Sequence, residues 1–176
     1  MDFWCVWNKY VKQNYNIWLS LSEFIQDGTY FLQSEPDITV TEPGNAGDVI
    51  TLSAYDHRNN SFWAESGRGY NTDNVVKPEF AAPGVSVFGP IGTRGNQDLY
   101  TTKSGTSVSA ALTAGVCAQF LEWGIVRGNE PYMKTEYIKN YLIRGCERFP
   151  NTEYPNRQTG YGKINVYESF RILTTV

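Results

Sequence analysis

The chain has 176 residues, of which 41% are hydrophobic and 15% aromatic. That is enough apolar material for one folded core, and it excludes a disordered chain. A formal net charge of -3, with no basic block, gives no electrostatic footprint for nucleic acid or for an anionic membrane surface.

Met1 to Tyr15 is rich in Trp and Tyr and carries Lys9 and Lys12. It lacks the charged start, apolar run and small-residue cleavage site of a signal peptide. Ile17, Leu19 and Leu21 alternate with Trp18 and Ser20, which predicts a strand. Ser22 to Tyr30 reads as a short helix with a turn at Asp27-Gly28, and Ile38 to Val40 as a short extended segment before a turn at Pro43-Gly44. Val49 to Tyr55 is apolar enough for a core strand, and Ser61 to Ser66 reads as a second strand after the polar turn Asp56 to Asn60. With Pro78, Pro83 and Gly84, Lys77 to Val87 reads as irregular and leads into a short strand at Val85 to Phe88. Leu99 to Thr102 is expected to be extended.

From Ser107 to Trp123 the pattern changes. Val108, Leu112, Val116, Phe120 and Trp123 recur at helical spacing, with Ala110, Ala111, Ala114, Gly115 and Ala118 between them and no charge before Glu122. This predicts a helix packed on most sides, interrupted by too many polar residues to be a membrane span. Pro131 and Thr135 open a second helix with an Ile138, Tyr141 and Leu142 stripe and a stop at Gly145. A Pro/Asn/Gly-rich loop from Pro150 to Gly162 precedes a short strand or helix at Ile164 to Leu173. Strands followed by buried helices suggest an α/β fold. The three cysteines, Cys5, Cys117 and Cys146, are odd in number and widely spaced; they indicate neither a disulfide framework nor a zinc site and read as small buried thiols.

The segment that carries chemistry is Ser104-Gly105-Thr106-Ser107-Val108-Ser109-Ala110. A serine on a turn that opens a helix sits beside unpaired N–H groups and a partial positive charge, which favour an adjacent oxyanion. Gly105 lets a substrate approach the backbone closely. The same tripeptide is compatible with a simple N-cap, in which a Ser or Thr hydroxyl closes the first turn.

The surrounding residues resemble the subtilase family of serine proteases. Gly105-Thr106-Ser107-Val108 followed by Ala110-Ala111 and Ala114-Gly115 is similar to the family's nucleophile signature. Lys77-Pro78-Glu79-Phe80-Ala81-Ala82-Pro83-Gly84-Val85 resembles its Lys-Pro-Asp-Ala-Pro-Gly-Val element. Ser66-Gly67-Arg68-Gly69 resembles its Ser-x-Arg-Gly turn, and Gly160-Tyr161-Gly162-Lys163-Ile164-Asn165 its closing Gly-Tyr-Gly element. Within the family the chain resembles the clostridial-type subtilases, among them the Csp proteases of spore germination. In those a β-rich insertion precedes a segment like Thr41 to Gly44, and residues 1 to 35 resemble the tail of that insertion.

The resemblance implies the C-terminal part of a doubly wound, mostly parallel α/β fold over residues 36 to 176. It implies Ser107 as the nucleophile of a serine endopeptidase, with a peptide or protein substrate and no cofactor or metal. It places Tyr100 to Thr102 and Asn96 on the leaving-group side, and it puts the chain among secreted, cell-envelope or spore-associated bacterial proteins. Ala111 stands where the family often has Pro. The family's Asp motif and Gly-His-Gly-Thr-His motif are absent, and the oxyanion Asn lies upstream in the family. His57, the one histidine, sits in a polar turn and reads as a surface residue, while Asn45 reads as part of a structural turn. Asp37, Asp48 and Asp56 have no motif context. The expectation is therefore a chain inactive by itself, completed by the upstream part of the same catalytic domain, and prone to self-association through an exposed sheet edge. The alternative is a non-catalytic pseudoprotease or interaction module.

Overall fold

The computed structural model describes residues 17–20, 24–91 and 100–175. The chain divides between Ser34 and Glu35 into two units. In the first, residues 17–20 are irregular, so the strand expected at Ile17 to Leu21 does not form there; Leu21 itself lies outside the described residues. Alternation alone makes no strand, which needs a partner edge to pair with. The turn at Asp27-Gly28 is present, with Gly28 at φ 83.

The second unit is built on β1 (Leu52–Asp56), β2 (Ser61–Phe62) and β3 (Phe80–Pro83), in the order β2-β1-β3. β1 pairs with β3 in parallel, Leu52 opposite Phe80 and Tyr55 opposite Pro83, and antiparallel with β2 at Tyr55 and Asp56. The second strand is thus shorter than the sequence suggests. The segment read as irregular contains β3, whose Phe80, Ala81 and Ala82 are buried. A parallel strand covered on both faces needs a continuous apolar run rather than alternation, and Pro83 closes the strand at its last residue. Backbone from the closing Gly-Tyr-Gly element covers the far edge of β3: the Ala81 N–H donates to Gly162 O at 2.9 Å and the Ile164 N–H to Ala81 O at 2.8 Å. Ile38 has φ 57, so the short extended segment expected at Ile38 to Val40 is bent at its first residue.

β4 (Val87–Pro90) and β5 (Tyr100–Lys103) form a separate antiparallel pair that runs into helix α1 (Thr106–Leu121). A π-helical turn, Glu122–Val126, prolongs α1. α2 (Thr135–Gly145) and α3 (Val166–Thr174) pack on each other. The Asn165 side chain caps α3 by accepting from the Glu168 N–H at 3.0 Å.

Phe80, Phe120, Met133, Ile138, Leu142 and Leu173 form the core, and Phe120 meets Phe170 with ring centroids 4.3 Å apart. Burying such side chains stabilises the fold by about 1.5–3 kcal/mol each before entropy is counted. α1 departs from the expectation of packing on most sides. Only Ser109, Thr113 and Phe120 are buried, on the face against β1 and β3. Ala111, Leu112, Ala114, Gly115, Ala118 and Leu121 are exposed. Thr106–Val126 is, by length and mean hydropathy of 1.3, apolar enough to cross a membrane. Its packing through two buried hydroxyl residues and Phe120 onto β1 and β3 makes it a helix of an α/β layer instead.

Candidate active site

The turn between β5 and α1 is fixed by the backbone. Gly105, the residue before α1, has φ 152 and ψ 154, a conformation that a side chain would disfavour. Its N–H donates to Gly84 O at 2.8 Å, and the Ser86 N–H donates to Ser104 Oγ at 2.8 Å. Gly84 in turn allows close approach: a Cβ there would lie 2.4 Å from Ser109 Oγ and 2.6 Å from Ala54 Cβ.

This geometry separates the serines of the motif. Ser104 Oγ is an acceptor in the turn. Ser109 is buried, and its hydroxyl lies 3.1 Å from both Ala82 O and Pro83 O, which pins α1 to β3. Ser107 lies in the first turn of α1 and is exposed, and among the described residues its Oγ has no hydrogen-bond partner. The N-cap reading fails for Ser107, because Gly105 is the cap residue and no side chain caps the helix. No acidic residue occupies the first turn either. The positive end of α1 is thus met by no side-chain acceptor among the described residues.

Ser107 stands at the rim of a cleft of about 430 Å³. Its walls come from the turn at Val40 to Gly44, from Val49 to Leu52 and from the start of α1, including Ala110. The edge of β1 facing away from β3 pairs with β2 at Tyr55 and Asp56 and is engaged at Ala54, whose O accepts from the Trp63 N–H and whose N–H donates to Ser66 Oγ, both at 3.0 Å; toward Leu52 it borders this cleft. Asn45 Nδ2 donates to Val40 O at 2.8 Å and so braces the turn.

Behind the cleft lies a buried ion pair that the sequence marked only as part of a motif. Lys77 is 1% exposed, and its Nζ lies 2.7 Å from Glu79 Oε1, 3.0 Å from Val49 O and 3.3 Å from Thr51 Oγ1. Glu79 Oε2 accepts from the Thr51 N–H at 2.7 Å, and Lys139 Nζ is 3.5 Å from Glu79 Oε1. The pair ties the cleft wall at Val49 and Thr51 to the start of β3.

His57 is exposed in the β1–β2 turn, and no hydrogen bond or ion pair joins it to Ser107 among the described residues. Asp56 is engaged by Arg58, whose Nε and Nη2 donate to it at 2.9 and 2.7 Å. Those hydrogen bonds hold the Asp56 carboxyl down at about 2. Asp37 pairs with Arg157 at 3.4 Å. Asn96 lies outside the described residues. Among the described residues no group of three or more His, Cys, Asp or Glu side chains is placed to hold a metal ion. Burial raises the Cys117 thiol and pushes Cys146 up to about 12; Cys5 lies outside the described residues.

The chain is similar to solved and curated proteases. It is 35% identical to the CspB protease of Clostridium perfringens, with a TM-score of 0.77, covering 84% of this chain and 32% of that one. It is 28% identical over 153 residues to the serine protease AprX of Bacillus subtilis (strain 168), covering 77% of this chain and 33% of that one. The prenylagaramide maturation protease PagA shares the fold at a TM-score of 0.61 and 23% identity, with 77% of this chain and 46% of that one covered. The chain thus spans about a third of the length of CspB and AprX. The model of the subtilase family matches residues 27–162, which take in the turn at Thr41 to Gly44, the buried ion pair and the exposed serine at the head of α1. By that match the chain belongs to the subtilase family.

Proposed function

We propose that this chain supplies the nucleophile-bearing part of a serine endopeptidase site, with Ser107 as the nucleophile. The observation that carries the reading is the contrast among neighbouring serines. Ser104 and Ser109 are committed to backbone groups, whereas Ser107 is exposed, unpartnered among the described residues and seated at an uncapped helix start beside a cleft.

Ser107 Oγ attacks the substrate carbonyl carbon, and its proton passes to a histidine base. The carbonyl oxygen gains the negative charge and is met by the Ser107 N–H and the positive end of α1. The C–N bond then breaks, the histidine returns the proton to the leaving amine, and water hydrolyses the acyl-serine. In this reading the histidine and the aspartate that orients it come from polypeptide carrying the family's upstream motifs. That polypeptide pairs with β1 at its Leu52 end and covers the exposed face of α1. The part of the cleft beside Ser107 and Thr41 is left for a substrate side chain.

The chain alone is then inactive, because a lone serine keeps its proton at neutral pH and loses several orders of magnitude in rate. The test is cleavage of a quenched fluorescent peptide by the chain alone and by the chain mixed with an upstream subtilase segment, with Ser107→Ala as control. Ser107-dependent turnover in the mixture only is the expected result. Turnover that survives Ser107→Ala refutes the assignment of Ser107, and no turnover in a mixture shown to associate refutes it and favours a non-catalytic module.

A further inference from the structure

The cleft wall from Val40 to Gly44 is irregular backbone ahead of β1, so no strand ladder fixes its position. Two of its hydrogen bonds, from the Gly44 N–H to Thr41 O and from Asn45 Nδ2 to Val40 O, shape the turn without tying it to the sheet. Its upstream end is anchored by the Thr39 N–H, which donates to Arg68 O at 2.8 Å. Its downstream anchor is Thr51. The Thr51 hydroxyl accepts from Lys77 Nζ at 3.3 Å and spends its one proton on Gly44 O. The fit is close, for a Cβ at Gly44 would lie 3.3 Å from Thr51 Cγ2. Glu79 holds the Thr51 backbone from both sides: its N–H donates to Thr51 O at 2.9 Å, and its Oε2 accepts from the Thr51 N–H at 2.7 Å.

The same carboxylate gathers the next stretch of loop. The three protons of the Lys77 ammonium meet Glu79 Oε1, Val49 O and Thr51 Oγ1, which leaves none unpaired. From α2, Lys139 Nζ reaches Gly47 O at 3.1 Å and Glu79 Oε1 at 3.5 Å. The carbonyls of Gly44, Gly47 and Val49 are therefore all tied to one network centred on Glu79, which is 4% exposed. Gly44, Val49 and Thr51 line the cleft together with Ser107, whereas Lys77, Glu79 and Lys139 do not. The network grips the cleft wall from behind.

We propose that Thr51, Lys77, Glu79 and Lys139 are positioning residues that set the distance of the cleft wall from Ser107, and with it the fit of a substrate side chain in the cleft. This rests on the reading of the cleft as the substrate site, and the test separates the two. Thr51→Val keeps the side-chain shape but puts a methyl where the hydroxyl stood. An O–H···O bond spans about 2.7 Å and a C···O contact about 3.3 Å or more, so Gly44 O has to retreat by roughly half an ångström. A wall displaced on that scale loses on the order of tenfold in fit.

Peptide binding is read by fluorescence anisotropy on the Ser107→Ala full chain combined with the upstream segment, so no turnover is needed. Two probes differ only at the residue that enters the cleft, Leu in one and Gly in the other; Val40, Pro43, Val49 and Leu52 offer the Leu side chain apolar walls. Before further substitution, the Leu probe should bind more tightly by on the order of tenfold. Thr51→Val should cut that preference to about twofold or less by weakening the Leu probe and sparing the Gly probe, and Thr51→Ser, which restores the hydroxyl, should recover it. Lys139→Met, outside the cleft, should move the preference in the same direction, and it carries the test if Thr51→Val does not fold. Ile143→Val, packed against the core, should lower the melting temperature and leave the preference intact, which separates positioning from a general loss of stability. A Leu preference that persists in whichever of Thr51→Val and Lys139→Met folds, or that is lost equally in Ile143→Val, overturns the positioning role. Equal binding of the two probes before further substitution removes the cleft as the substrate site, and the proposal with it.

Discussion

Replacing Lys77 by Met tests how the cleft wall is held. The substitution keeps most of the side-chain volume but removes the ammonium from between Glu79 Oε1, Val49 O and Thr51 Oγ1. The Glu79 side chain, 5% exposed, is left with the Thr51 N–H at 2.7 Å and Lys139 at 3.5 Å. Breaking one side of a buried pair costs about 3–5 kcal/mol, and the residual Lys139 charge places this case near the lower end, at about 3 kcal/mol. Glu79→Gln should cost a similar amount, because the buried ammonium loses its counter-charge. The double variant should lose only about 2–3 kcal/mol, since the buried pair is removed as a unit, giving a coupling of about 3–4 kcal/mol. Urea unfolding followed by Trp fluorescence at low protein concentration measures all four corners of the cycle. A Lys77→Met cost below about 1 kcal/mol, with the two substitutions additive within about 0.5 kcal/mol, would refute the buried-pair account.

Gly84→Ala should destabilise the chain by about 1–3 kcal/mol, because its Cβ meets Ser109 Oγ and Ala54 Cβ inside contact distance; a wild-type urea midpoint would contradict the close approach. Cys146 should resist alkylation in the folded chain at pH 8 and react once unfolded, read by peptide mapping. Its folded pKa of about 12 lies above the unfolded value near 9, so the folded state holds the proton more tightly. Its stability contribution is present below pH 9 and is lost as pH rises from 9 toward 12. The exposed apolar residues of α1, Leu112, Leu121 and its continuation Ile125, should make the isolated chain bind a hydrophobic dye and self-associate. An upstream subtilase segment should suppress both effects, and a monomeric, dye-free isolated chain would count against that covering.

Much of the frame was legible because its signals are local. The 3.6-residue pattern marked α1 and α2, and the Gly-Thr-Ser turn singled out Ser107 through its resemblance to the family. What the sequence hid depends on neighbours. β3 was obscured because a strand buried on both faces shows no alternation and Pro83 suggests a break. The exposed side of α1 was unreadable because an apolar, small-residue helix signals burial without saying which chain provides it. The role of Ser109 comes from its hydroxyl against Ala82 O and Pro83 O, contacts with a strand distant in sequence. The Phe88–Tyr100 stack joins residues on two strands, a relation that no local pattern contains.

Labelling with a fluorophosphonate probe, with Ser107→Ala as control, tests the central claim most directly. The chain alone should remain unlabelled and should label at Ser107 when an upstream segment bearing the family's Asp and His motifs is added. Ser107-dependent labelling of the chain alone would contradict the account, because a base would then have to lie within this chain or its oligomer.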